Sequence, residues 1–166
     1  ALLLVHLYGM PAKIDEIIRI CNTYNLALIE DAAEAIGSSY KGKACGSFGD
    51  FGIVSFNGNK MITTSGGGAL LSRNEKAIKE AKFLSTQAKD NAPHYQHSKI
   101  GYNYRLSNIS AAIGVAQLEV LNSRVQARRK NHEFYYNSLK HLSFISFLKE
   151  PKDYYSNRWL SCILID

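Results

Sequence analysis

The sequence predicts an α/β fold built on a parallel sheet, and three observations carry that reading. Two short apolar runs, residues 2–7 and 26–29, flank a segment in which Ile14, Ile17, Ile18 and Cys21 recur at i, i+3, i+4 and i+7, the stripe of an amphipathic helix. Such a strand–helix–strand unit joins parallel neighbours through a crossover helix. Neither apolar run alternates with polar residues, the pattern of strands buried on both faces.

The elements follow in order. Pro11 suits a first helical turn, where its missing N–H costs nothing, and the helix leads into the second strand, which ends in Glu30-Asp31. Residues 37–68 hold nine of the 12 glycines and leave room for two strands, at 52–56 and from 68 to 71. Residues 75–85 read as a helix. Residues 86–106 are polar, aromatic and irregular, the texture of a functional loop. Ser107 is placed to cap a long helical zone in which Ile109, Ile113, Ala116 and Val120 line one face, continuing with breaks to about residue 142. Pro151 and a Tyr-rich stretch precede a last strand at 159–165.

The 166 residues amount to one domain by length, with 46% hydrophobic and 20% charged residues. That balance excludes disordered, collagen-like and coiled-coil chains. No run of about 18 apolar residues is present to span a membrane. The apolar start lacks the basic region of a signal peptide. Cys21, Cys45 and Cys162 are too scattered for a disulfide framework or a metal knuckle, which fits a reducing cytosol. The net charge of +6 gathers in the later helices, a solvated face in the absence of any nucleic-acid-binding motif.

Ligands of open α/β sheets sit beyond the carboxyl ends of the strands. Asp31 and Ser55 lie at such ends and Lys60 in the turn that follows. Singly, Asp31 also reads as a helix cap and Lys60 as a solvated turn residue. Together they offer what pyridoxal phosphate asks of a protein: an amine for a Schiff base, a carboxylate for the pyridinium nitrogen and a hydroxyl for the phosphate.

The runs IEDAAEAIGS (29–38), GSFGDFG (46–52), SFNGNKMITTSGGGAL (55–70) and GYNYRLSN (101–108) resemble the DegT/DnrJ/EryC1/StrS nucleotide-sugar aminotransferases. STQA (85–88) and SNRWLS (156–161) look most like the UDP-N-acetylbacillosamine transaminases of that group. The resemblance implies a three-layer, aspartate-aminotransferase-like (fold type I) large domain over residues 1–120. A linking helix and the start of a smaller C-terminal α+β domain follow over 121–166. It implies a partial chain, poorly stable or inactive alone because its end strands lack partners. Lys60 then matches the Schiff-base lysine and Asp31 the carboxylate on the pyridinium nitrogen. Ala33 matches the small residue against the ring and Ser55 the phosphate-binding hydroxyl. Glu34 stands near the cofactor's 3′-oxygen, where many relatives carry Gln or His. Asn103 matches an asparagine that reaches the phosphate of the neighbouring subunit in a homodimer. The implied reaction moves an amine from L-glutamate to C4 of a UDP-linked 4-keto-6-deoxy-N-acetylamino sugar. The alternatives are another nucleotide-sugar aminotransferase, of the GDP-perosamine or 3-amino type, or a non-catalytic nucleotide-binding domain.

Other motifs carry less. Asp50-Phe51-Gly52 imitates a kinase motif without the companion loops, and Gly66-Gly67-Gly68 lacks the lysine of a phosphate loop. His94 and His97 have no partners to complete a metal site. His6 either faces the cleft or packs. Arg105 and Arg158 either grip a diphosphate or form structural ion pairs, and Arg128-Arg129-Lys130 reads as a solvated helix face.

Overall fold

A computed structural model describes residues 1–166. β1 (Leu2–Val5) is followed by a tight turn at Leu7–Gly9, α1 (Ile14–Tyr24) and β2 (Leu28–Asp31). β1 and β2 are parallel, Leu2 opposite Leu28 and Val5 opposite Asp31. β5 (Phe51–Ser55) adds parallel to β2 with Ile53 opposite Asp31, and β6 (Gly68–Leu71) closes the sheet antiparallel to β5. The order is β1-β2-β5-β6, so the carboxyl ends of β1, β2 and β5 share one edge.

The strand–helix–strand unit is as expected, with two corrections. Pro11 precedes α1 by three residues instead of opening it, and α1 has no side-chain cap at its start. It ends on Asn25 in the left-handed region, φ 51°, a conformation that asparagine tolerates. The strands of the sheet are covered on one face only. Leu4 and Leu28 pack with Ile14, Cys21 and Tyr40 in a buried cluster. On the other face Leu3 is 61% exposed and Val5, Ile53 and Leu70 are also open. Within these residues, α1 and a small second sheet cover the first face, and that is why the expectation of burial on both faces fails.

The second sheet was not legible as strands. β3 (Ser39–Tyr40) and β4 (Lys43–Ala44) form a hairpin around Lys41-Gly42, both at positive φ, as a two-residue turn matching strand twist requires. β8 (Tyr154–Tyr155) joins β3 from far along the chain, with the Tyr154 ring edge-on to Tyr40 at 4.7 Å.

α2 (Glu75–Leu84) is capped by Asn74, whose side chain accepts from the Ala77 N–H. Ser107 caps α3 (Asn108–Glu119) by accepting from the Ser110 N–H, as its sequence position foretold. The zone then breaks at Val120 before α4 (Leu121–Leu139). Ile109, Ile113 and Val120, expected to share a face, are all exposed. β7 (Ile145–Phe147) pairs with β9 (Ile163–Ile165), so the strand expected from Trp159 onward begins four residues later. No helix is long and apolar enough to cross a membrane.

Candidate active site

β2 divides two adjacent carboxylates between the two faces of the sheet. Strand side chains alternate, and Glu30 points into the covered face while Asp31 points to the open one. Glu30 is fully buried. Its carboxylate accepts from the N–H groups of Gly46 (2.8 Å), Phe48 (2.5 Å) and Gly49 (2.6 Å) and from His6 Nε2 (3.0 Å). His6 Nδ1 accepts from the Ala12 N–H, which fixes the proton on Nε2. His6 therefore packs, with none of its ring exposed. Burial pushes the Glu30 pKa up. The hydrogen bonds from His6 and from the Gly49, Gly46 and Phe48 amides outweigh burial and hold it below the usual carboxylate range. The result is a pinned loop, 44–49, directly behind the strand that carries Asp31.

Asp31 is half-buried at the end of β2. No helix follows for it to cap. Instead Oδ1 accepts from the Ala33 N–H at 3.0 Å, which orients the carboxylate and leaves Oδ2 without a protein donor. Ala33 lies half-buried beside it. Ser55 ends β5 on the same face of the sheet as Asp31, two residues beyond the Ile53 that pairs with it. Its hydroxyl oxygen accepts from the Asn57 N–H at 3.3 Å, so the hydroxyl proton remains to be donated.

Lys60 follows in a turn closed by its own N–H on the Asn57 carbonyl. Its side chain is only 12% exposed, and Nζ stands 3.9 Å from the Glu34 carboxylate. The other Glu34 oxygen accepts from the Tyr8 N–H at 2.6 Å, tying the end of β1 to the lysine. Thr63 Oγ1 and the Thr64 N–H both donate to the Phe56 carbonyl, so the lysine turn is laced to β5.

Lys60, Glu34, Asp31, Ala33 and Ser55 thus gather at one edge of the sheet. Asn103 does not join them: it is exposed, and its backbone bridges Thr86. Arg158 proves structural, pairing with Glu150 at 3.0 Å. Arg129 corrects the reading of a solvated run, since it also pairs with Glu150 (2.9 Å) and donates to the Ser156 carbonyl.

Residues 156–159 were missed as part of the site. Asn157 is fully buried and its Nδ2 donates to the carbonyls of Glu34 and Ile36, each at 2.8 Å. Trp159 lies over Lys60, with Nζ 4.3 Å from the ring centre, and its Nε1 donates to the Asn59 carbonyl at 2.8 Å. The available signal was the SNRWLS run (156–161), which bears on the kind of enzyme and says nothing of contact with Lys60, while Trp159 alone reads as the start of a strand.

Residues 1–166 match the DegT/DnrJ/EryC1/StrS aminotransferase family over their whole length. The chain is 55% identical over 166 residues to EpsN of Bacillus subtilis, whose name assigns it to the pyridoxal phosphate-dependent aminotransferases. The match spans 100% of the chain and 43% of EpsN. It is 42% identical to GDP-perosamine synthase of Escherichia coli O157:H7 (99% of the chain, 44% of the relative). It is 38% identical to UDP-4-amino-4,6-dideoxy-N-acetyl-beta-L-altrosamine transaminase of Campylobacter jejuni (99% and 44%). Among solved structures it superimposes on the aminotransferase TlmJ of Streptoalloteichus hindustanus with a TM-score of 0.95 at 27% identity (100% of the chain, 46% of TlmJ). On the PLP form of the sugar aminotransferase Spr1654 of Streptococcus pneumoniae the TM-score is 0.87 at 26% identity (99% and 47%). The chain spans less than half the length of each of these relatives.

Proposed function

The chain belongs to the DegT/DnrJ/EryC1/StrS aminotransferase family, and on that premise we propose that the protein carrying it is a pyridoxal phosphate-dependent nucleotide-sugar aminotransferase. The observation that carries the reading is the shielded Lys60 amine at the sheet edge that also presents Asp31 and Ser55. The donor set suits the cofactor: one primary amine, one carboxylate with a free oxygen, one hydroxyl with a free proton. When bound, pyridoxal phosphate supplies the electron sink that stabilises negative charge at the α-carbon of an amino donor.

This chain's residues divide the remaining work. Lys60 Nζ would be the point of attachment and, as a free amine, the base that moves the proton from the donor's α-carbon; positioned proton transfer of this kind contributes about 10²–10⁴-fold. Asp31, oriented by Ala33, keeps the ring nitrogen protonated, and Ala33 leaves room for a flat ring. Ser55 donates to the phosphate. Glu34, held by the Tyr8 N–H beside Lys60, would serve the ring oxygen of the bound cofactor. Asn103 serves the site of a second subunit in a homodimer. Residues 1–120 form the cofactor unit, and 121–166 a linking helix and the start of a smaller domain. The three free thiols accord with a cytosolic setting.

The substrate reading is L-glutamate as donor and a UDP-linked 4-keto-6-deoxy-N-acetylamino sugar as acceptor, supported by the SNRWLS and STQA runs and by the likeness to the Campylobacter enzyme. The 42% identity to a GDP-perosamine synthase favours a second reading, with a GDP-linked keto sugar. A coupled transamination assay over UDP-, GDP- and TDP-linked keto sugars separates them. Lys60→Ala is expected to abolish turnover and the visible absorbance band of the loaded protein; near wild-type turnover in that variant sinks the assignment.

A further inference from the structure

Lys60 is held from two sides, and only one of them comes from the sheet. Glu34 is at 3.9 Å, too long for a hydrogen bond. The second partner is the Trp159 ring, 7% exposed and from the distal part of the chain. A protonated amine 4.3 Å from the centre of an indole lies within the range in which the ring's quadrupole attracts a cation, and shielding from water strengthens the attraction.

The ring is itself fixed at three points. Its Nε1 is anchored on the Asn59 carbonyl, the residue immediately before the lysine. Its backbone N–H donates to Asn157 Oδ1 at 2.9 Å. Between them Arg158 adopts φ 52°, a left-handed conformation that a residue of this size takes only when its surroundings enforce it. That turn sends the Arg158 guanidinium toward Glu150 and the indole toward Lys60. Asn157 meanwhile holds the carbonyl of Glu34.

We propose that Trp159 is a positioning residue for Lys60. Its ring restrains the amine at the sheet edge in the orientation from which it attaches pyridoxal phosphate, and residues 157–159 make the distal segment a part of the cofactor site. The inference rests on the reading of Lys60 given above.

The test uses the protein carrying this chain, freed of pyridoxal phosphate and then mixed with it. Growth of the borohydride-sensitive visible band is timed in the wild type, Trp159→Phe and Trp159→Leu. The leucine variant is expected to slow attachment by about tenfold, and the phenylalanine variant, which keeps an aromatic face, by no more than about threefold. A merely structural contribution moves the melting temperature of both variants without this ranking. A leucine variant that attaches at the wild-type rate, or two variants slowed equally, overturns the proposal. Should the leucine variant fail to fold, fluorescence decides. The emission that the wild type has and Trp159→Phe lacks is expected to fall severalfold on loading, and unchanged emission overturns the proposal. Absence of any borohydride-sensitive band in the wild type refutes the reading of Lys60 itself, whereas a normal band with indifferent Trp159 variants refutes only the role of Trp159.

Discussion

Replacing Glu30 by Gln tests the buried network behind the site. The side chain keeps its size, so packing is unchanged. One Glu30 oxygen accepts from His6 Nε2 and the Gly46 N–H, the other from the Phe48 and Gly49 N–H groups. An amide has only one oxygen, so in either orientation its NH₂ faces two donors. His6 cannot relieve the conflict by changing tautomer, because its Nδ1 already accepts from the Ala12 N–H. Two hydrogen bonds to a charge are lost, each worth about 1.5–3 kcal/mol, giving a destabilisation of ~3–6 kcal/mol. At about 2–4 °C per kcal/mol for a protein of this size or somewhat larger, the melting temperature falls by roughly 10 °C. The pH dependence follows from linkage. The pKa of Glu30 is lower in the folded state than in the unfolded chain, so its contribution is complete above the ordinary carboxylate range and is lost as pH falls through the folded value. Melting curves of wild type and Glu30→Gln recorded from neutral pH downward should therefore converge in acid. A neutral-pH difference below about 2 °C, or a gap that stays constant into acid, would refute the charged, four-donor description of Glu30.

Three further outcomes are expected. Gly52→Ala places a Cβ 2.0 Å from the Gly46 carbonyl oxygen; backbone cannot step aside as a side-chain tip can, so a loss of ~3 kcal/mol or more should appear as a lowered melting temperature or as insoluble protein. Cys45 is buried and its pKa is pushed up to about 12 by burial and the nearby Glu30 charge. Alkylation at about pH 8, followed by mass spectrometry, should therefore modify the half-buried Cys162 well before Cys45. Asn157→Asp removes both donors and sets a carboxylate oxygen against the carbonyls of Glu34 and Ile36, so it should destabilise at least as much as Asn157→Ala, ~2–5 kcal/mol by denaturant titration; an aspartate variant as stable as wild type contradicts that geometry.

What was legible in the sequence was what local chemistry determines. The stripe Ile14, Ile17, Ile18 and Cys21 marks α1, and Ser107 and the turn glycines mark boundaries, because each acts on its own few neighbours. The small sheet escaped because β3 and β8 are two residues each and pair across more than a hundred positions; no periodicity survives in two residues. The burial of β1 and β2 was misjudged because an unbroken apolar run says that a strand has two apolar faces, not that both are covered by the same stretch of chain. Trp159 escaped because its partner Lys60 lies 99 positions away, and proximity of that kind is set by the turn at Arg158.

The adjacent pair Glu30-Asp31 shows the same division at the scale of one peptide bond. Both are acidic and both end one strand, so composition and motif treat them alike. Strand alternation then gives Glu30 a dry pocket of four donors and Asp31 an open edge with a single donor from Ala33. A carboxylate with every lone pair engaged can only hold structure, and one with a free oxygen is able to hold a ligand. The two tasks are coupled: by fixing loop 44–49 and His6, whose backbone N–H donates to the Asp31 carbonyl at 3.1 Å, Glu30 sets the backbone from which Asp31 projects. The function proposed for this edge therefore rests on a buried acidic residue as well as on the one that faces the opening.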